Sequence, residues 1–127
     1  MLSLMPFEAG MQRIICGHFE DKDFSQMKVP AIVVTELEYG ARHSSDYARR
    51  RKQYSDFIRD FEIVPFSGEE AEAYGLIRQQ LSADGTPIGG NDMLIAATAL
   101  ANDATVVTHN VKEFSKVKGL RIEDWTK

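Results

Sequence analysis

The chain has little cysteine, no long hydrophobic run and no excess of positive charge. Its single cysteine, Cys16, cannot form an internal disulfide, so nothing in the sequence points to an oxidising compartment. No apolar stretch approaches the ~20 residues that a membrane-spanning helix needs. Residues 1–7 lack the basic start and the long apolar core of a signal peptide. We therefore expect a cytoplasmic protein with no membrane partner.

The net charge of −4 argues against a protein that coats nucleic acid through bulk positive charge. It leaves room for an enzyme whose acidic side chains surround a divalent metal ion. His109 has no serine or cysteine nucleophile beside it, and the sequence has no paired histidines for a zinc site. A length of 127 residues, 43% of them hydrophobic, fits one domain over residues 1–127 with a substantial core.

Apolar, β-branched segments alternate with segments of helical periodicity along the chain. The first helix is predicted at residues 11–19 and a charged helix at 45–61. The segments predicted to form strands are 29–34, 62–66, 104–108 and 120–122. This alternation predicts an α/β fold with a mostly parallel central sheet flanked by helices. In such folds ligands bind outside the carboxyl ends of the strands.

Several helix boundaries carry local signals. Thr35 and Ser67 each precede a glutamate by three residues, so both are predicted to begin helices with capping boxes, closed by Glu38 and Glu70. Asn91 and Asn110 are predicted N-caps, and Asn110 also has a glutamate three residues on. Asp84-Gly85 is predicted to end the helix that starts after Ser67 and runs through Leu81.

These boundaries place Glu36, Asp92 and Glu113 in first helical turns at the carboxyl edge of the predicted sheet. Carboxylates that converge on one point repel one another unless a cation or a proton intervenes. Oxygen ligands of this kind suit Mg²⁺ or Mn²⁺, which can activate a water for phosphodiester hydrolysis. The alternative is that the three acids only stabilise helix N-termini through the helix dipole.

The densest basic patch is Arg49, Arg50, Arg51 and Lys52 in the charged helix at 45–61. A solvated helix face and a contact with phosphates are both compatible with this run. With Lys112, these residues are the candidates for contact with the phosphates of a nucleic acid.

Three segments together resemble the PIN-domain ribonucleases, specifically the VapC toxins of VapBC toxin–antitoxin modules. The resemblance runs from about residue 29 to residue 126. The segments are Thr35-Glu-Leu-Glu-Tyr-Gly40, Tyr74–Leu81 leading to Gly85–Ala97, and Val107–Phe114 with Gly119–Trp125.

The resemblance implies a metal-dependent endoribonuclease that cuts structured RNA such as tRNA. By position in the motifs, Glu36, Asp92 and Glu113 are the implied catalytic and metal-binding acids, with Thr108 and Asn110 as polar neighbours. The implied ion is Mg²⁺ or Mn²⁺. The implied partners are a VapB-type antitoxin and a second copy of the chain.

One element of the family pattern is absent. Members begin with a strand that ends in Asp-Thr-Asn, whose aspartate binds metal, and residues 1–28 contain no such motif. Glu8, Asp21 and Asp23 do not match its context and are not assigned. An altered or missing first strand is therefore expected. The alternative function is a catalytically impaired PIN fold that binds antitoxin or RNA.

Overall fold

The structure, a computed structural model of the chain, describes residues 14–16 and 27–124. Five strands and five helices occur within these residues. In chain order they are β1 (Ile14–Cys16), β2 (Met27–Pro30), α1 (Ala31–His43), α2 (Tyr47–Ile58), β3 (Glu62–Val64), α3 (Gly68–Asp84), α4 (Gly90–Ala101), β4 (Thr105–Val107), α5 (Val111–Phe114) and β5 (Arg121–Glu123).

The five described strands form one sheet in the order β3-β2-β1-β4-β5. β2 pairs with β3 in parallel, with Lys28 opposite Glu62, and β4 pairs with β5 in parallel, with Thr105 opposite Arg121. β1 lies in the centre and runs antiparallel to both neighbours, with Ile15 opposite Lys28 and Val106. Four of the described strands therefore share one direction, which confirms the mostly parallel α/β fold, and β1 is the exception.

The core lies between this sheet and the helices that pack on it. Val29 and Val106 from the sheet are fully buried, as is Ile95 from α4, and Ile77 from α3 is nearly so. α3 and α4 pack closely side by side. The two helices run antiparallel, and Glu70 near the start of α3 accepts a hydrogen bond from the Asn102 amide at the end of α4 (3.0 Å).

The strand predicted at 29–34 is too long. β2 ends at Pro30, which is the N-cap of α1, and Ala31–Val34 is already helical. Proline suits a helix start because its φ is fixed and its missing N–H is not needed there. Val33 and Leu37 are buried one helical turn apart, so tertiary packing overrides the strand preference of this β-branched run.

The capping box predicted for Thr35 and Glu38 is consequently wrong. Thr35 lies inside α1, and its hydroxyl donates to the carbonyl of Ile32 (2.6 Å). The helix predicted at 11–19 is also wrong at residues 14–16, which form β1 between two strands. Two adjacent isoleucines fit either element, and pairing with distant strands decides between them. The rest of that predicted helix lies outside the described residues, as do Glu8, Asp21, Asp23 and Trp125.

Other boundaries are confirmed. Glu70 Oε1 accepts from the Ser67 N–H (2.8 Å) and hydroxyl (2.7 Å), so the predicted capping box is present. Gly85 ends α3 in the left-handed conformation (φ 69°), which glycine adopts without strain. In the part of the chain that the structure describes, no helix is long and apolar enough to cross a membrane.

Candidate active site

The two strands that flank β1 carry helices at their carboxyl ends. α1 begins directly after β2 and carries Glu36, and α5 begins shortly after β4 and carries Glu113. Because β2 and β4 run in the same direction on either side of the central strand, their carboxyl ends face the same edge of the sheet. This is the place where open α/β sheets bind ligands.

The first turn of α4 contacts both glutamates. The side-chain amide of Asn91 donates to Glu36 Oε2 (3.0 Å). The backbone N–H of Gly89 donates to Glu113 Oε2 (3.0 Å). Two acids that are 77 positions apart in the sequence thus lie against one helical turn.

Asp92 belongs to the same turn of α4. A β-carbon built on Gly89 would lie 3.9 Å from Asp92 Oδ2 and 4.0 Å from Glu113 Oε2, so both carboxylates approach one point of the backbone. Asp92 and Glu113 lie in first helical turns, as the sequence predicts. The same prediction for Glu36 is wrong, because α1 begins at Ala31 and places Glu36 in its second turn.

The N-cap predicted for α4 is also wrong. Gly89 is the cap, whereas Asn91 is the second residue of the helix. Asparagine at that position cannot cap its own helix, and its amide reaches across to α1 instead. The sequence pattern singled out Asn91 but predicted a role for it within its own helix.

The donor set fits a hard cation in its chemistry. Mg²⁺ is commonly held by one or two carboxylates and keeps several waters, so Asp92 and Glu113, with Glu36 nearby, offer suitable oxygens. Within residues 14–16 and 27–124, no group of three or more His, Cys, Asp or Glu side chains is close enough to hold an ion. A ligand set of Glu36, Asp92 and Glu113 therefore stays a prediction.

Thr108 and Asn110 shape the turn between β4 and α5. Thr108 is buried, its N–H donates to the Glu123 carbonyl (2.9 Å), and its hydroxyl accepts from the Asn110 N–H (2.9 Å). Asn110 is the N-cap of α5, but its side chain makes no capping hydrogen bond, and Glu113 turns to Gly89. These two polar residues thus hold the backbone that positions Glu113.

Glu38 shows how differently a second acid of α1 is used. Its carboxylate accepts from the hydroxyls of Tyr54 and Tyr47 (2.8 Å for Tyr47) and from Arg42 Nε (2.6 Å). The hydrogen bond from Tyr54, followed by that from Tyr47, lowers the pKa of Glu38 to about 2. Burial, with the bond to Glu38, raises the pKa of Tyr54 to about 12. Glu38 therefore joins α1 to α2.

The basic run of α2 is partly engaged within the protein. Arg51 donates to the Tyr47 hydroxyl (3.0 Å) and lies 3.5 Å from Glu38 Oε1. Lys52 pairs with Asp56 one turn along α2 (2.9 Å). Arg49, Arg50 and Lys112 have exposed side chains.

Asp124 is not among the site residues predicted from the sequence. It follows β5, and its side chain is only 11% exposed, with Oδ2 3.5 Å from Nδ1 of His109. His109 follows β4, so the two residues come from neighbouring strand ends. The sequence feature that could have identified Asp124 is its position directly after the last parallel strand.

Comparison with known proteins gives consistent results. The sequence profile of the PIN domain matches residues 17–120, a range that begins earlier than the motif resemblance at about residue 29. The chain is 38% identical over 99 residues to "Ribonuclease VapC2" of Rickettsia felis, covering 78% of this chain and 74% of that protein. It is 38% identical over 101 residues to the "tRNA(fMet)-specific endonuclease VapC" of Salmonella typhimurium, covering 80% and 76%.

Solved structures agree with the sequence comparisons. A chain in the VapBC2 complex of Rickettsia felis, bound to a DNA fragment from its promoter, superposes with a TM-score of 0.75 at 38% identity over 77% of this chain and 74% of that chain. A chain in VapBC-1 of nontypeable Haemophilus influenzae superposes with a TM-score of 0.75 at 34% identity over 79% and 75%.

Proposed function

Because this chain belongs to the PIN-domain family, and within it to the VapC ribonucleases, we propose that its acidic edge hydrolyses structured RNA of the tRNA class. The observation that carries the proposal is that Asp92 lies in the first turn of α4, and that Glu36 of α1 and Glu113 of α5 both contact this helix start. α1 and α2 begin without an acid in their first turns, so the helix dipole does not by itself explain why acids of three helices lie near the start of α4.

The proposed cofactor is Mg²⁺ or Mn²⁺, held by Glu36, Asp92 and Glu113. When bound, such an ion activates a water for attack on phosphorus and neutralises charge on the phosphoryl group. The chain's own residues prepare this site. Asn91 and the Gly89 N–H direct Glu36 and Glu113 towards α4, whose N-terminal dipole offsets part of the repulsion among the three carboxylates.

The substrate is proposed to be tRNA because a relative that shares 38% identity is named for cleavage of a tRNA. Arg49, Arg50 and Lys112 are proposed to attract its phosphates, since their side chains are exposed. Arg51 and Lys52 belong to the same proposed surface, although each also has an acidic partner within the protein.

The proposed biological role is that of the toxin in a type II toxin–antitoxin module. A VapB-type antitoxin is the proposed partner, since the structural neighbours are VapBC complexes. A homodimer and a cytoplasmic location are proposed from the family resemblance and from the RNA substrate. The comparisons do not favour the alternative, a catalytically impaired PIN fold that binds antitoxin or RNA.

The test is cleavage of tRNA by the purified chain in Mg²⁺ or Mn²⁺. We expect fragments from the wild type, none in EDTA, and a loss of at least about 100-fold for Asp92→Asn, which keeps the size of the side chain. Asp103→Asn is the matched control. It removes the same charge at an exposed site (83% exposed), and its positive φ of 53° suits asparagine.

Asp103→Asn should cleave at the wild-type rate. A folded wild-type protein that leaves tRNA intact in both metals contradicts the proposal. Equal cleavage by Asp92→Asn and Asp103→Asn contradicts the assignment of Asp92.

A further inference from the structure

α4 has an asparagine at each end, and both side-chain amides bind a glutamate of another helix. Asn91 donates to Glu36 Oε2 on α1 (3.0 Å), and Asn102 donates to Glu70 Oε2 on α3 (3.0 Å). The two bonds are alike in chemistry and length. Their surroundings differ, because Glu70 already accepts two bonds from Ser67, whereas Glu36 contacts the residue that directly precedes Asp92.

Helix formation does not account for the orientation of Asn91. The N-cap of α4 is Gly89, and the Gly89 carbonyl accepts the Met93 N–H (3.0 Å), so the helix starts without help from the Asn91 side chain. Asparagine is also a poorer helix former than alanine inside a helix. The Asn91 amide therefore serves a contact outside its own helix.

The contact with Glu36 has a specific physical consequence. A glutamate side chain has three rotatable bonds, and a donor on one carboxylate oxygen restricts where the other oxygen points. An amide does this without adding positive charge, so it does not compete with a cation for the carboxylate as lysine or arginine would. The next residue, Asp92, is one of the proposed ligands.

We infer that Asn91 is a positioning residue of the proposed ribonuclease site, which orients the Glu36 carboxylate for a divalent cation. The inference rests on the proposed function and adds a residue that is not itself an acid. Hydrogen-bond partners of metal ligands typically contribute 10–100-fold to metal affinity or activity. Because this bond lies at the protein surface, we expect an effect at the lower end of that range.

The test is Mn²⁺ binding without RNA, measured from the electron paramagnetic resonance signal of free Mn²⁺. In Asn91→Ala we expect the dissociation constant for Mn²⁺ to rise by about tenfold. The melting temperature should stay within a few degrees of the wild type, since alanine is favourable in the first turn of α4. The same variant should need about tenfold more Mn²⁺ for half-maximal cleavage of tRNA.

Asn102→Ala is the matched control at the other end of α4. It removes the same amide from the same type of acceptor, and it leaves the buried Glu70 with one donor fewer. We expect a lower melting temperature and an unchanged dissociation constant for Mn²⁺. Equal losses of Mn²⁺ affinity in both variants would mean that α4 is generally disturbed, which would overturn the inference.

A double-mutant cycle with Glu36→Gln tests the route of the effect. If Asn91 acts through Glu36, then Asn91→Ala should not weaken Mn²⁺ binding further in the Glu36→Gln background. An additional tenfold loss in that background, or wild-type affinity in Asn91→Ala alone, overturns the inference and leaves the proposed function intact. A wild-type chain that neither binds Mn²⁺ nor cleaves tRNA overturns both.

Discussion

The two ends of α4 place carboxylates in opposite situations. At the C-terminal end, Glu70 is 5% exposed and both its oxygens accept hydrogen bonds, from Ser67 and from Asn102. At the N-terminal end, Glu36 and Glu113 each present a carboxylate to the turn that carries Asp92. The first arrangement stabilises one ionised group, whereas the second gathers several like charges.

This difference separates a structural acid, Glu70, from the acids of the proposed site. Hydrogen bonds from the Ser67 side chain and backbone lower the pKa of Glu70 to about 2, so the protein strongly prefers its ionised form. Glu36 and Glu113 contact the turn that carries Asp92, and neighbouring carboxylates repel one another unless a cation or a proton intervenes. Removing an acid should therefore affect stability at one end of α4 and activity at the other.

The largest expected effect on stability comes from Glu70→Gln. At pH 7 we expect the free energy of unfolding to fall by about 2 kcal/mol, because the glutamine oxygen caps Ser67 only without charge and the glutamine NH2 group cannot accept from Asn102. Urea denaturation measures this change. Cleavage of tRNA per folded molecule should match the wild type, and a loss of cleavage at unchanged stability would contradict the comparison.

The same variant has a defined pH dependence. The pKa of Glu70 is lowered in the folded protein, so the unfolded chain binds more protons and the carboxylate stabilises the fold above its ordinary pKa of 4.5. This contribution disappears as the pH falls from about 4.5 towards 2. The difference in unfolding free energy between wild type and Glu70→Gln should shrink over that window. A constant difference would mean that packing, not charge, explains it.

A smaller effect is expected from Gly89, whose backbone N–H binds Glu113. Gly89→Pro removes this N–H, whereas φ of −60° at Gly89 is compatible with proline. We expect the apparent affinity for Mn²⁺ in tRNA cleavage to fall by about tenfold. Gly89→Ala keeps the N–H, and its β-carbon would meet Asp92 and Glu113 at ordinary contact distances, so it should resemble the wild type.

Equal apparent affinity for Mn²⁺ in the two Gly89 variants would contradict a role of the Gly89 N–H in positioning Glu113. Melting temperatures of both should be measured beside the cleavage rates, since a large drop in the proline variant alone would reflect a disturbed start of α4. The Gly89 carbonyl, which accepts from Met93, is retained in both variants.

Much of this architecture is readable from local sequence. The Ser67–Glu70 capping box and the left-handed Gly85 each depend on residues close together in the chain, so pattern alone predicts them. The position of Asp92 in a first helical turn follows from the Gly-Gly-Asn-Asp segment in the same way. The interactions that produce these features form between residues that are close together in the sequence.

Features that depend on distant contacts were not predictable in this way. The segment Ala31–Val34 has strand-forming residues, but Pro30 and the burial of Val33 make it helical. Asn91 resembles an N-cap locally, whereas its partner Glu36 lies 55 residues earlier in the chain. The pairing of His109 with Asp124 depends on the register of two strands. Tertiary structure, not local preference, determines each of these.

The central claim is that the N-terminal end of α4 is part of a site for a divalent cation. Calorimetric titration of the wild-type chain with Mn²⁺, beside Asp92→Asn and Glu70→Gln, tests it most directly. We expect wild type and Glu70→Gln to bind Mn²⁺ with a dissociation constant of about 1 mM or below, and Asp92→Asn to bind Mn²⁺ at least about tenfold more weakly. Absence of binding by the folded wild type, or equal binding by all three proteins, would contradict it.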